Sequence, residues 1–111
     1  DLIMQDLDVE EFWVLYMNQN FKLIKKMRIA HGGLSEVSVD IRIIIREAVL
    51  ANATILAVAC CHPSGNITPS RQDDALTNSI KKACELMRLH FMDHVIITDG
   101  QYFSHHESGR I

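Results

Sequence analysis

Thr54-Ile55-Leu56-Ala57-Val58-Ala59-Cys60-Cys61-His62-Pro63-Ser64-Gly65-Asn66-Ile67-Thr68-Pro69-Ser70-Arg71-Gln72-Asp73 passes through three kinds of local sequence, each dictating a different backbone. Thr54 to Cys60 is a short, continuously apolar run after the turn-prone Asn52, which predicts a strand covered on both faces. His62 to Pro69 contains both prolines of the chain and Gly65, so it predicts a loop. Ser70 then opens a helix, with Asp73 three residues on, and apolar side chains at 76, 80, 83, 84 and 87 form one stripe along it.

Outward from this segment, Glu10 to Met17 is β-branched and aromatic and stops at the polar run Asn18-Gln19-Asn20, a hairpin turn whose partner strand is Phe21 to Ala30. Gly32-Gly33 breaks the pattern. From Val39 to Ala51, apolar residues at 41, 44, 45 and 48 follow helical spacing. On the other side, His94 to Thr98 predicts a strand, Asp99-Gly100 a turn and Tyr102 to Ser104 a closing strand. The order β-β-α-β-α-β-β describes one α+β domain over residues 1–111, a curved mixed β-sheet flanked by two main helices.

A chain of 111 residues, 48% hydrophobic, can fill one core. Its formal charge of −3, from 11 basic and 14 acidic residues, gives direct nucleic-acid or anionic-membrane binding little support. The longest apolar runs are far below the roughly 20 residues that span a bilayer. Three cysteines, two of them the neighbours Cys60 and Cys61, make a poor disulfide framework and predict a reducing, cytoplasmic setting. No secretory leader is read at the start, and opening on Asp1 rather than Met leaves room for an upstream segment.

The chemistry is carried by the loop and its flanks. Cys60 and His62 stand at i and i+2 where a strand ends, so both side chains project from one face. A loop folding back would bring them Asp73, in the first turn of the following helix. Three protein ligands leave a fourth position for water, the arrangement of catalytic zinc.

The run His62-Pro63-Ser64-Gly65, followed by Thr68-Pro69-Ser70 and Asp73, resembles the metal motif of the RadC family, a branch of the JAMM/MPN metalloproteases. Similar features continue through Glu10-Glu11-Phe12-Trp13-Val14-Leu15, Gly32-Gly33, Val39-Asp40-Ile41-Arg42, Asp93-His94-Val95-Ile96-Ile97 and Tyr102-Phe103-Ser104, so the likeness runs from about residue 8 to the end. The resemblance implies a JAMM/MPN, cytidine-deaminase-like architecture and one zinc ion. His62 and Asp73 match the family's ligands, Ser70 its oxyanion helper, and Glu10 its general base, with Glu11 as the alternative base. It also implies hydrolysis of a peptide or isopeptide bond in a protein or peptide substrate by metal-activated water. The family name carries an association with DNA repair.

The chain departs from the motif at its first histidine, which is Cys60. A thiolate binds zinc well but donates more electron density than imidazole, so the metal becomes a weaker Lewis acid. The other reading is a non-catalytic binding module whose metal site is degenerate or empty. Ser70 and Asp73 by themselves are also a capping box. His94 reads as a structural residue of its strand, His31 as a turn residue, and His105-His106 as a solvated tail. Lys22, Lys25, Lys26 and Arg28 read as a solvated strand face. Edge strands of a mixed sheet leave a homodimer open.

Overall fold

A computed structural model describes residues 11–31, 39–61, 67–98 and 100–111. Among them the elements run β1 (Glu11–Met17), β2 (Leu23–His31), α1 (Ile41–Leu50), β3 (Ile55–Cys61), α2 (Arg71–Leu86), β4 (His90–Thr98) and β5 (Gln101–Ser104). The order read from sequence is the order observed, and the fold is α+β: a mixed five-stranded sheet with two helices.

The sheet order is β2-β1-β3-β4-β5. β3 and β4 are parallel, and α2 is the crossover between them; the other three pairings are antiparallel. Central position explains the apolar run, because β3 has a strand on each side and every one of its residues is buried. The antiparallel register sets Phe12 opposite Cys60, Val14 opposite Val58 and Tyr16 opposite Leu56. Those six residues form one face, and Ile44 and Ala48 of α1 pack there with Leu76, Ile80 and Cys84 of α2. Tyr16 also donates its hydroxyl to the Ile44 carbonyl at 3.0 Å, joining β1 to α1 without leaving a buried polar group unsatisfied. The opposite face carries Ala59, Cys61 and Ile97 with Trp13, Leu15 and Val95.

Two boundaries differ from the sequence reading for identifiable reasons. β2 begins at Leu23 rather than Phe21 because the Asn18 side chain takes the amides of Asn20 at 2.8 Å and Lys22 at 3.1 Å, drawing the turn out to Lys22. β4 begins at His90 rather than His94, because His90 and Phe91 enter the parallel ladder opposite Ile55 and Leu56. The hairpin cations are also more engaged than a solvated face would be. Lys25 pairs with Glu47 of α1, Arg28 reaches Glu11 at 3.3 Å, and Lys26 lies 6.0 Å over the Trp13 ring.

Candidate metal centre

β3, α2 and β4 meet where the parallel pair is crossed by its own connection, and three ionisable side chains converge there. Cys60 comes from the end of β3, Asp73 from the first turn of α2 and His94 from the interior of β4. All three are buried, and one ligand atom from each lies within 4.8 Å of the others. Sulfur, carboxylate oxygen and imidazole nitrogen form a donor set that suits a borderline ion such as zinc.

The helix start positions Asp73. Ser70 Oγ accepts the Asp73 amide at 3.0 Å, and Asp73 Oδ2 accepts the Ser70 amide at 2.8 Å, a complete capping box. Asp73 and Asp74 in the first turn also suit the positive end of the helix dipole. The capping reading and the ligand reading of Asp73 are therefore compatible, since one carboxylate serves both arrangements.

A β-bulge positions His94. Phe91 stands opposite Leu56, but Asp93 rather than Met92 stands opposite Ala57, so Met92 is an extra residue in β4. The bulge changes the parity of everything after it and sets His94 opposite Val58, on the face that holds Cys60. His94 Nε2 then lies 3.0 Å from Cys60 Sγ. Its Nδ1 meets Thr77 Oγ1, and that hydroxyl also reaches the Asp73 carbonyl at 2.7 Å. The His105 ring stacks on His94 at 4.5 Å with an interplanar angle of 5°, and Phe12 meets it edge-on at 6.2 Å.

The sequence reading of His105 as part of a solvated tail is corrected by its burial at 1% exposure. One ring nitrogen lies 2.7 Å from the His94 carbonyl and the other 3.2 Å from Asp74 Oδ1. Its neighbour His106 is exposed. His94, which reads from sequence as a structural residue of its strand, is buried in that strand with its ring beside Cys60. Of the residues matched to the family motif, Cys60 and Asp73 come together and Ser70 sits at the helix cap. Glu10 and His62 lie outside the described residues, and the turn reading of His31 is corrected: it is the last residue of β2, opposite Glu11. Glu11 belongs to the other face of the sheet: it stands opposite Cys61, accepts Trp13 Nε1 at 2.8 Å and pairs with Arg28.

All three cysteines are buried thiols rather than disulfides. Among the described residues, no helix is long and apolar enough to cross a membrane.

The mixed five-stranded sheet with its two helices fits a JAB/MPN-like α+β fold, and the Cys/Asp/His group that could hold an ion lies at its parallel crossover. The chain matches the family described as "RadC-like JAB domain" over residues 1–110, and it belongs to that family. It is 43% identical over 107 residues to a UPF0758 protein of Porphyromonas gingivalis, covering 96% of this chain and 47% of the relative. A UPF0758 protein of Flavobacterium johnsoniae is 37% identical over 107 residues, covering 96% and 47%. One from Actinobacillus pleuropneumoniae is 42% identical over 98 residues, covering 88% and 44%. The chain thus spans about half the length of the curated relatives it matches.

Proposed function

We propose that this chain is a zinc-dependent metallohydrolase domain of metallopeptidase or isopeptidase type, acting on an amide bond of a protein or peptide. The observation that carries the reading is the convergence of Cys60 and Asp73 in one buried group beside His94. His62, two residues beyond Cys60, is the further ligand that the family motif implies.

A bound zinc ion would supply a Lewis acid and a water acidified toward a pKa of about 7. The chain's own residues supply the rest. Glu10, which the family motif matches to the general base, would take the proton of the attacking water and return it to the leaving amine. Ser70 Oγ accepts an amide in the capping box, which uses a lone pair and leaves its hydroxyl hydrogen to donate to the developing oxyanion. Asp73 carries negative charge to the ion while its cap fixes the carboxylate. Cys60 brings a second negative charge where the family motif has neutral imidazole, which favours tight ion binding and lowers Lewis acidity.

A second reading, a non-catalytic module with a degenerate site, is favoured by one observation. The 3.0 Å contact between Cys60 Sγ and His94 Nε2 is within hydrogen-bond range, so the two groups satisfy each other without an ion. Metal analysis separates the readings. The hydrolase reading expects one zinc per chain, lost in Asp73→Ala, and cleavage of a fluorogenic peptide pool that Glu10→Gln abolishes and Cys60→His increases. Metal-free protein, or zinc-loaded protein whose peptide cleavage is indifferent to Glu10→Gln, would leave the binding module standing.

A further inference from the structure

We infer that His94 is an ion ligand contributed by β4, from outside the His-Pro-Ser-Gly loop, and that Thr77 is the positioning residue that sets its tautomer. This rests on the reading that Cys60 and Asp73 hold a metal, and it deepens that reading by naming the donor that completes a protein set of three with them; were His62 to bind as well, the water would need a fifth position on the ion.

The protons decide it. Thr77 Oγ1 lies 2.7 Å from the Asp73 carbonyl, and a carbonyl can only accept, so the single hydroxyl hydrogen of Thr77 is spent there. The same oxygen meets His94 Nδ1, which must then be the donor. A neutral imidazole carries one hydrogen, so Nε2 presents its lone pair, and it presents it toward Cys60 Sγ at 3.0 Å. An imidazole with one nitrogen held by a hydroxyl and the other facing a thiol, in a group that also brings a carboxylate oxygen within 4.8 Å, has the orientation of a metal-bound histidine.

The ring is also fixed before any ion arrives. His94 is fully buried, stacked against His105 and met edge-on by Phe12, so both its plane and its spin are determined. His105 in turn is tied to the strand it covers, through its backbone amide and a ring nitrogen, both on the His94 carbonyl at 3.1 and 2.7 Å. The strand itself is specialised for this outcome. Strict alternation from Phe91 would place Asp93 on the site face and His94 on the other; the extra Met92 exchanges them.

The chemistry has a logic of replacement. The motif's first imidazole is a thiol here, and an imidazole from the neighbouring strand stands in contact with that thiol. Cys60, Asp73 and His94 come from three elements, so the ion would clamp β3, α2 and β4 together.

The test uses the 111-residue chain, with cobalt(II) and zinc as probes. Long-range proton–nitrogen spectra of the histidine rings should show His94 protonated on Nδ1 in the metal-free protein, and its Nε2 resonance should move on addition of one equivalent of zinc. Cobalt should give a thiolate charge-transfer band that Cys60→Ser removes. His94→Gln should weaken cobalt binding by more than tenfold while the band survives at saturation. Thr77→Val should weaken it by roughly 10- to 100-fold, as other outer-shell changes do, and Thr77→Ser should restore it. Two results overturn the inference while leaving the proposed function intact: a His94 Nε2 resonance unmoved by stoichiometric zinc, or a proton found on Nε2 of the metal-free ring. Absence of any stoichiometric zinc or cobalt binding by the native chain overturns both. The spectra of the native protein decide the matter even if a His94 variant does not fold.

Discussion

Ser70 and Asp73 bind each other's backbone amides, at 3.0 and 2.8 Å, so the residue proposed to carry charge to the ion is also the one that starts α2. Stability and metal affinity are therefore joined in one carboxylate, and substitutions can separate them.

Ser70→Ala removes the cap acceptor and should lower folding stability by about 1 kcal/mol, with zinc affinity little changed. Asp73→Asn keeps an oxygen for the Ser70 amide, so stability should fall by less than about 1 kcal/mol. Zinc affinity should drop by more than the roughly 10- to 100-fold typical of outer-shell changes, because a charged ligand is lost. Urea denaturation and competition with a zinc indicator read the two effects independently. Equal zinc affinities in the two variants would remove Asp73 from the ligand set.

Tyr16 should show what its buried hydroxyl contributes. Burial pushes the phenol above its ordinary value, with Glu47 and Cys84 adding to the shift, which keeps the hydroxyl that donates to the Ile44 carbonyl protonated beyond the ordinary tyrosine range. Tyr16→Phe keeps the ring in the core and removes that bond. A loss of about 1 kcal/mol is expected from urea midpoints, with no change in slope.

Much of this architecture was legible because single-residue rules and tertiary context agree. β3 reads as a doubly covered strand and is one; Ser70 reads as a cap and is one. The convergence of Cys60 and Asp73 follows from the same two elements and the loop that joins them. His94 was not legible, because its face depends on an extra residue in β4 that only the β3–β4 register reveals. Of the His105-His106 pair, His106 is exposed as a solvated tail would be, while His105 turns inward because the His94 carbonyl and Asp74 lie within reach of its ring nitrogens. Nothing in the local sequence announces those partners; the sole available hint was that the pair follows a strand already assigned to the sheet.

Glu47 gives the chain a defined response to acid. The Lys25 ammonium, against the opposing effect of burial and with a further contribution from Arg46, holds its carboxyl below the ordinary 4.5. A depressed folded-state value means stabilisation that is present above 4.5 and lost as pH falls through the lower folded value. Glu47→Gln should therefore melt lower than the native chain at pH 7, and the gap should close progressively as pH falls below 4.5. Thermal melts of both proteins at a series of pH values check this, and high salt should narrow the gap at pH 7 as well.

Cys84 responds at the other end of the scale. Burial, with a smaller contribution from Glu85, pushes its thiol from 9.0 up to about 12. The unfolded chain releases that proton above about pH 9 while the folded chain keeps it, so the full stability present below 9 is lost progressively as pH rises toward 12. Other groups titrate in the same range, and the comparison that isolates this one is the native chain against Cys84→Ala. Between pH 8 and pH 10 the native protein should lose more stability than the variant, although the variant starts lower because its core holds a cavity. Alkylation supplies the matching kinetic evidence, because the thiolate is the nucleophile. Iodoacetamide at pH 8 should leave Cys84 unmodified in native protein and label it once urea has unfolded the chain. Rapid labelling of Cys84 in the folded state would mean that α2 opens from the sheet far more readily than the packing of its Leu76, Ile80 and Cys84 in the core allows.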